Sequence, residues 1–590
     1  MQSLTDKEIA LILADSEEAI GVSQITKVLR FFGIPTCAST VADFIAKGLR
    51  PNNKSAKIRL FCSSDTFWKL IQELERNPSL IRLWRENVHS GFVFAGTDVT
   101  VFKKMARRLM DDRFAPVIQI NRALGEWTIS DKLPQFCGVM SGLRVPLNRK
   151  ADKPEPISDD TEEENPLHMV LDKRSTVLSK TEYQASPIFL SAAFEIIDID
   201  SEIATGNFDI REHFLSATPI VMFVKWAFEK TCWGTPQVPA CLVIDDPLLK
   251  PQYGFLNFRD HLDQMRHHNF ATSIAFIPWN WRRSNSKVTG LFKANPGRYS
   301  LSIHGCDHTG AEFGTRDTDV LAWKARQAIA RMSSHESRTG LSHDRVMVFP
   351  QGVFSEPAIR VLKHTHFLAA VNTEVHSADL HRSIIRISDL WDVALMTYGT
   401  FPIFTRRYPS QGIENFAFDI LLGKPCIIVV HHDWCQNRSF HLVNFVNRLN
   451  ALNCSLMWRS LGDVVRSSCR QREITDGQVE TEMYGSEFCV KNDYDRSKRF
   501  CIRKRESDVS AVRDIKIGTQ TIPWTYSEGR VNFEINLSAG RGATVCITFH
   551  DNFNHVHGRE NIGYKLKTMA RRYLSEVRDN YILTRRAWLP

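Results

Sequence analysis

Short apolar runs alternate with amphipathic segments along most of this chain, and the alternation predicts strands separated by helices. Near the N-terminus, residues 57–77 have the pattern of a strand followed by an amphipathic helix. Residues 90–98 predict a second buried strand, and residues 100–112 predict a second helix. Strands that are separated by helices usually pair in parallel, so we expect a small α/β domain in this region.

The same alternation is most regular between residues 239 and 458. Several of its apolar runs are uninterrupted, which is typical of strands buried on both faces of a parallel sheet. A repeated β/α pattern of this length predicts a (β/α) barrel or a doubly wound sheet. The predicted strands are residues 239–246, 271–278, 298–305, 345–352, 367–374, 424–434 and 454–458, and the predicted helices are residues 254–269, 318–334, 356–365 and 440–453.

The flanking parts of the chain differ from this pattern. Short strand-like runs with turn residues around positions 475–550 predict a small antiparallel β-sandwich, and residues 565–588 predict a basic helix. Residues 148–166 are polar, contain proline and become strongly acidic, as linkers often do. The predicted organisation is an N-terminal α/β domain (1–147), an acidic linker (148–185), a bridging segment (186–238), the barrel (239–465), the sandwich (470–555) and a C-terminal helix (556–590).

Composition and charge narrow the classes of function. The chain has 590 residues, of which 43% are hydrophobic and 24% are charged, as in soluble globular proteins of more than one domain. The net charge of +9 is small for this length, so we expect no nucleic-acid partner. We see no signal peptide and no membrane span, since Lys225 interrupts the apolar residues 219–228. The 13 cysteines form no Cys-x-x-Cys pair, which favours reduced thiols and a cytoplasmic location.

Polar residues cluster where the predicted barrel strands end. Asp245 and Asp246 end the first strand, and His304 and His308 end a later one, four positions apart. The carboxyl ends of parallel strands meet on one face, so these residues and a later histidine could form one site. Two imidazoles and a carboxylate with an open position are the minimum for a catalytic metal, which activates water for hydrolysis. Chance also produces such a histidine pair in a chain with 20 histidines, so the interpretation depends on this context.

Five motifs, in this order and at these strand ends, resemble the polysaccharide deacetylase family, the carbohydrate esterases that contain a NodB-homology domain. The resemblance covers about residues 240–460 and implies a deformed (β/α) barrel. It also implies removal of an acetyl group from an N-acetylated sugar, in a polysaccharide or its precursor, by metal-dependent hydrolysis of a linear amide C–N bond. The motifs are VIDDP (243–247), NFATSIAFIP (269–278), HGCDH (304–308), VFPQG (348–352) and VVHHD (429–433).

The resemblance assigns a role to most of these polar residues. It implies a divalent metal ion, usually zinc with cobalt or nickel as alternatives, bound by Asp246, His304 and His308. Asp245 would be the general base, and His432 the general acid, with His431 as the alternative because either fits the last motif. The expected substrate is a carbohydrate, and the residues expected to contact it are Trp279, Asn280, Trp281, Pro350, Gly352 and Trp434.

The chain departs from the family pattern at the position of an arginine that orients the base. Val348 stands there, and we expect Arg282 or Arg283 to supply the missing guanidinium. The departure keeps two alternatives open. One is a catalytically inactive carbohydrate-binding protein, in which the sandwich recognises the sugar. The other is a glycoside hydrolase or another amidohydrolase on the same barrel, although a glycosidase needs two carboxylates flanking the bond and this site is rich in histidine.

Overall fold

The computed structural model of the protein describes residues 8–15, 21–50, 56–96, 98–109, 114–147, 176–550, 553 and 562–582. Its first part is a nine-stranded mixed sheet with the strand order β2-β1-β3-β4-β9-β8-β5-β6-β7. The strands are β1 (Glu8–Leu13), β2 (Thr36–Ser39), β3 (Lys57–Ser63), β4 (Val88–Phe94), β5 (Ala115–Asn121), β6 (Glu126–Ile129), β7 (Arg144–Pro146), β8 (Thr176–Tyr183) and β9 (Ser186–Ser191). The helices are α1 (Val22–Phe31), α2 (Val41–Ala46), α3 (Ser64–Arg76), α4 (Pro78–Asn87), α5 (Val99–Leu109) and α6 (Pro134–Cys137).

Strands β8 and β9 differ from the predicted boundaries of this region. Most of the predicted acidic linker, residues 148–175, lies outside the described residues, but residues 176–183 of it form β8 inside the sheet. β8 pairs antiparallel with β5 and β9. Its turn to β9 places Gln184 and Ala185 at φ 51° and 72°. Positive φ at both central residues suits a tight hairpin, but Gln-Ala lacks the Asn-Gly or Asp-Gly signature of such turns.

Seven parallel strands form a barrel in the middle of the chain, in the order β17-β16-β15-β14-β13-β10-β18. Arg407 pairs with Ile428 and closes the ring between β17 and β18. The predicted deformed (β/α) barrel is therefore confirmed. After α7 (Phe214–Phe228), the strands are β10 (Val238–Asp245), the hairpin β11 (Gln252–Tyr253) and β12 (Leu256–Asn257), β13 (Thr272–Phe276), β14 (Tyr299–His304), β15 (Val346–Val348), β16 (Ala369–Asn372), β17 (Ile403–Thr405), β18 (Cys426–Val430) and β19 (Leu456–Trp458), which pairs with β10.

Helices separate these strands, and most of them begin with a side-chain cap. Asn257, for example, accepts hydrogen bonds from the backbone N–H groups of Arg259 and Asp260, which are free at a helix start. The barrel helices are α8 (Phe258–His267), α9 (Ser286–Lys293), α10 (Thr318–Thr339), α11 (Glu356–His364), α12 (Ile387–Trp391), α13 (Ile413–Leu422), α14 (Gln436–Asn450) and α15 (Leu461–Ser467).

The two faces of the barrel strands pack into separate cores. Along β10, Cys241 and Val243 belong to the apolar cluster inside the barrel, whereas Leu242 and Ile244 pack outward against the helices. Successive side chains of a strand point to opposite faces. Asp245 therefore continues the inward face of β10, at the carboxyl end of the barrel.

Two further sheets, mostly antiparallel, follow the barrel, as predicted for the C-terminal part. Their strand orders are β20-β21-β23-β27-β26 and β22-β28-β24-β25, and they enclose a core that includes Phe500, Val531 and Val545. The strands are β20 (Cys469–Thr475), β21 (Gln478–Met483), β22 (Glu487–Lys491), β23 (Lys498–Arg505), β24 (Val512–Ile517), β25 (Gln520–Thr521), β26 (Thr525–Ser527), β27 (Arg530–Leu537) and β28 (Gly542–Phe549).

The last described segment is α16 (Ile562–Val577), which continues as a wider helical turn over residues 578–582. It returns to the barrel and contacts the loops at the carboxyl ends of the strands. Within the described parts of the chain, no helix has the length and apolar character needed to cross a membrane.

Candidate active site

A cavity of about 460 Å³ lies at the carboxyl ends of the barrel strands. Strand ends and the loops after them form one side of it, and α16 with residues 578–579 forms another. The barrel side includes Asp245, Asp246, His304, His308, Arg406 and His431. The helix side consists of Arg571, Arg572, Ser575, Glu576, Arg578 and Asp579.

The three predicted metal ligands come together in this cavity. Asp246 Oδ1 lies 3.3 Å from His304 Nε2 and 3.1 Å from His308 Nε2. One ligand atom from each of the three residues lies within 4.8 Å of the others. Among the described residues, this is the group of His, Cys, Asp and Glu side chains whose geometry could hold a metal ion.

The chemistry of this group fits a divalent cation. Asp246 Oδ1 is buried and accepts no well-formed hydrogen bond, so it has a lone pair free for a cation. His304 Nδ1 lies 3.0 Å from the carbonyl oxygen of Val348, which can only accept. Nδ1 therefore carries the ring proton, and Nε2 faces Asp246 with its lone pair.

The backbone around these ligands is held in unusual conformations. Asp246 has φ 80° and His308 has φ 57°, values that residues other than glycine rarely adopt. Gly305, between the two histidines, has φ 63°. A Cβ atom there would lie 2.2 Å from Glu312 Oε1 and 2.4 Å from Pro350 Cγ, so the turn has no space for a side chain. This crowding explains why glycine occupies this position.

Glu312, which the sequence did not indicate, holds the turn that carries the two histidines. Its carboxylate accepts hydrogen bonds from the backbone N–H groups of Cys306 (2.8 Å), Asp307 (3.1 Å) and His308 (2.9 Å). Lys324 Nζ lies 3.1 Å from Glu312 Oε2 and balances its charge. No sequence motif points to Glu312. Its hydrogen bonds depend on the backbone conformation of the preceding turn, in which Gly305 and His308 have positive φ.

Arg406 supplies the guanidinium that pairs with the predicted base. Its Nη1 and Nη2 donate to the two oxygens of Asp245 at 2.7 and 2.8 Å, and both side chains are buried. Phe404 belongs to the cluster inside the barrel, so Arg406, two positions later, points inward as well. Burial raises the pKa of Asp245, but Arg406, and after it His304, more than compensate and leave that pKa below its ordinary value.

The expectation that Arg282 or Arg283 would take this role is therefore wrong. Arg283 forms an ion pair with Glu576 of α16. Arg282 is exposed and stacks over the ring of Trp281, with 4.4 Å between its Cζ and the ring centroid. Both follow β13, whereas the guanidinium that meets Asp245 follows β17. The arginine that pairs with Asp245 therefore comes from the segment after β17, which closure of the barrel brings close to the end of β10.

The two candidate histidines of the last motif lie in different surroundings. His431 lines the cavity, is exposed, and stacks on Tyr408 with 6.4 Å between the ring centroids. His432 is buried and packs between Tyr253 and Phe255. Its Nε2 lies 3.8 Å from Asp579 Oδ1. Of the two, His431 is the histidine that reaches the cavity.

The residues expected to contact a sugar also separate into groups. Asn280 and Gly352 line the cavity. Pro350 packs against the histidine turn beside Gly305. The described residues that line the cavity include none of the three tryptophans: Trp279 lies under Arg331, Trp281 lies under Arg282, and Trp434 lines a separate groove beside α14.

Helix α16 is attached to both sides of the barrel mouth, which the sequence did not predict. Tyr564 donates a 2.8 Å hydrogen bond to Asp307, in the turn that carries the histidines. At the other end, Asp579 accepts a 2.8 Å hydrogen bond from the Tyr253 hydroxyl, and Asn580 accepts one of 2.7 Å from the backbone N–H of Gly254. Between them, Lys250 and Arg283 form ion pairs with Glu576. The helix is therefore part of the cavity wall.

Among proteins of known structure, the chain is similar to several carbohydrate esterases and deacetylases. No family model matches the sequence, and no curated protein matches it. Among solved structures, a family 4 carbohydrate esterase from Streptomyces lividans is 12% identical (38% of this chain and 94% of that chain, TM-score 0.24). A family 4 acetyl xylan esterase from Clostridium thermocellum is 11% identical (38% and 89%, TM-score 0.24). A peptidoglycan N-acetylglucosamine deacetylase is 14% identical (39% and 90%, TM-score 0.25).

Proposed function

We propose that this protein is a metal-dependent hydrolase that removes the acetyl group from an N-acetylated sugar of a polysaccharide or its precursor. The observation that carries the proposal is the convergence of Asp246, His304 and His308 beside an ionised aspartate. That aspartate, Asp245, is held by Arg406 in the same cavity. The order of the motifs along the chain supports the same reaction class.

Asp246 and the Nε2 atoms of the two histidines would hold the ion. When bound, a divalent ion supplies a Lewis acid that polarises the amide carbonyl and lowers the pKa of water. Two imidazoles and one carboxylate are the ligands of catalytic zinc sites, and cobalt and nickel accept the same set. Glu312 fixes the turn of His304 and His308, so the geometry of the ligands exists before an ion arrives.

Asp245 would take the proton from the attacking water. Its depressed pKa keeps it ionised at neutral pH, and the two bonds from Arg406 fix its orientation. The oxygen of that water adds to the carbonyl carbon, and the C–N bond then breaks. His431, the histidine of the last motif that lines the cavity, would give a proton to the departing nitrogen. The products are acetate and the free amine of the sugar.

The test combines metal content with acetate release. We expect about one divalent ion per purified chain. We also expect release of acetate from N-acetylated oligosaccharides, with a loss of roughly 10²–10⁴ in turnover and an unchanged metal content for Asp245→Asn. Asp263→Asn, an exposed aspartate of α8, is the matched control and should retain both properties.

Two results would contradict the proposal. Near-full turnover in Asp245→Asn would show that another group is the base. Metal binding with no acetate release from any acetylated sugar would favour the inactive carbohydrate-binding alternative.

A further inference from the structure

Two arginines of α16 reach the cavity without a carboxylate partner. Arg571 and Arg572 both line it. Arg572 is only 7% exposed, and its Nη2 donates to the carbonyl oxygen of His308 at 3.2 Å and lies 3.4 Å from His308 Nδ1. Its Nε is buried and has no hydrogen-bond acceptor. Arg571 forms no ion pair or hydrogen bond with any residue in the described part of the chain, and it lies beside Gly310.

The other arginines of the cavity are all neutralised by carboxylates. These pairs are Arg283 with Glu576, Arg406 with Asp245 and Arg578 with Asp579. Burying a charge is costly unless an opposite charge or several hydrogen bonds compensate for it. Two guanidinium groups line this cavity, and one of them is buried with an unused donor, so the compensating anion is expected from a ligand.

The two remaining carboxylates of the cavity do not remove this requirement. Glu374 accepts hydrogen bonds from the backbone N–H groups of Val375 and His376. Asp246 Oδ1 lies against His304 and His308, and among the described residues it forms no ion pair with Arg572. Asp246 is also a candidate metal ligand, so a bound ion would neutralise its charge.

We propose that Arg571 and Arg572 form an oxyanion subsite beside the candidate metal ligands, and that the substrate is an N-acetylated sugar that also carries a carboxylate or phosphate group. This inference rests on the proposed function and specifies its substrate class. Guanidinium groups bind both kinds of oxyanion through paired N–H donors. The contact between Arg572 and His308 places that oxyanion next to the reacting group, on the same sugar or on an adjacent unit.

Binding of inorganic phosphate to the full-length, metal-free protein tests the subsite without any turnover. Isothermal titration calorimetry should show binding to the unmodified chain, and Arg571→Gln or Arg572→Gln should weaken it about 10- to 100-fold. Lys567→Gln is the matched control, because Lys567 is an exposed cation of the same helix outside the cavity lining. Absence of binding, or equal affinity in all four proteins, would overturn the subsite. Circular dichroism of each variant shows whether the helix is retained.

Kinetics with three acetylated sugars identify the source of the oxyanion. The sugars are a neutral N-acetylglucosamine oligosaccharide, the same oligosaccharide containing a uronic acid, and N-acetylglucosamine 1-phosphate. We expect one of the two anionic substrates to have a kcat/KM about 10- to 100-fold above that of the neutral one. Arg571→Gln should abolish this preference mainly through KM, and Lys567→Gln should retain it. Equal use of all three sugars would overturn the subsite and leave the deacetylase intact.

Failure of the proposed function gives a different result. Phosphate binding that depends on Arg571 and Arg572, in a protein that releases acetate from none of the three sugars, would support the oxyanion subsite. The same result would reject the hydrolase.

Discussion

Replacing Arg406 by methionine should destabilise the barrel by leaving the carboxylate of Asp245 buried without its partner. Arg406 and Asp245 are 3% and 5% exposed and share two hydrogen bonds. Removing one member of a buried ion pair costs about 3–5 kcal/mol of unfolding free energy. For a domain of the size of this barrel, each kcal/mol lowers Tm by about 2–4 °C. We therefore expect the Tm of the metal-free protein to fall by about 6–20 °C.

The neighbouring pair provides a matched control for this prediction. Arg407 donates to Asp419 with similar geometry and burial, but it lies outside the cavity lining. Arg407→Met should therefore lower Tm by a similar amount and retain turnover, whereas Arg406→Met should lose both. The double variant Asp245→Asn/Arg406→Met removes the buried carboxylate that Arg406→Met leaves unpaired, so it should be more stable than Arg406→Met. If Arg406→Met melts like the unmodified protein, or the double variant melts no higher than Arg406→Met, the reasoning is refuted.

Three further predictions concern the metal ligands and one distant carboxylate. The double variant His304→Ala/His308→Ala should lose the bound divalent ion in elemental analysis, and retention of the ion would place it elsewhere. Glu312→Gln should weaken metal affinity about 10- to 100-fold in a chelator competition, because the histidine turn loses its anionic anchor; unchanged affinity would remove that role. Burial raises the pKa of Asp344 to about 6, so ionising this carboxyl group in the folded protein costs free energy. The stability that the protonated carboxyl group provides is complete below pH ~4 and is lost as the pH rises through about 6. Asp344→Asn should therefore raise the unfolding free energy at pH 7 by up to about 3 kcal/mol and change little at pH 4, whereas a similar gain at both pH values would contradict this cause.

The barrel and its candidate metal ligands were predictable because local signals specify them. Uninterrupted apolar runs mark strands that are buried on both faces, and polar residues that follow such runs collect at one end of a parallel barrel. Asp246, His304 and His308 satisfied both conditions. Asp245 was recognisable because it ends the first predicted strand and belongs to the VIDDP motif.

The partners of these residues were not predictable, because they depend on long-range closure. Arg406 meets Asp245 across 161 positions, and only the ring of seven strands brings the two together. The amphipathic pattern of α16 predicted a helix but not the surface that it covers. β8 was assigned to a linker because the acidic residues before it dominate the composition of that segment.

The position of α16 has a consequence for how the protein is made. The hydrogen bond between Arg572 and His308 joins residues that are 264 positions apart, so one wall of the cavity is synthesised long after the barrel strands. At about 5–20 residues per second, the roughly 150 residues between β18 and the end of the helical segment take about 8–30 s to translate. During that interval a nascent barrel can close while its candidate metal ligands still face solvent. Arg571 and Arg572 can enter the cavity only after that interval, so the proposed oxyanion subsite is completed last.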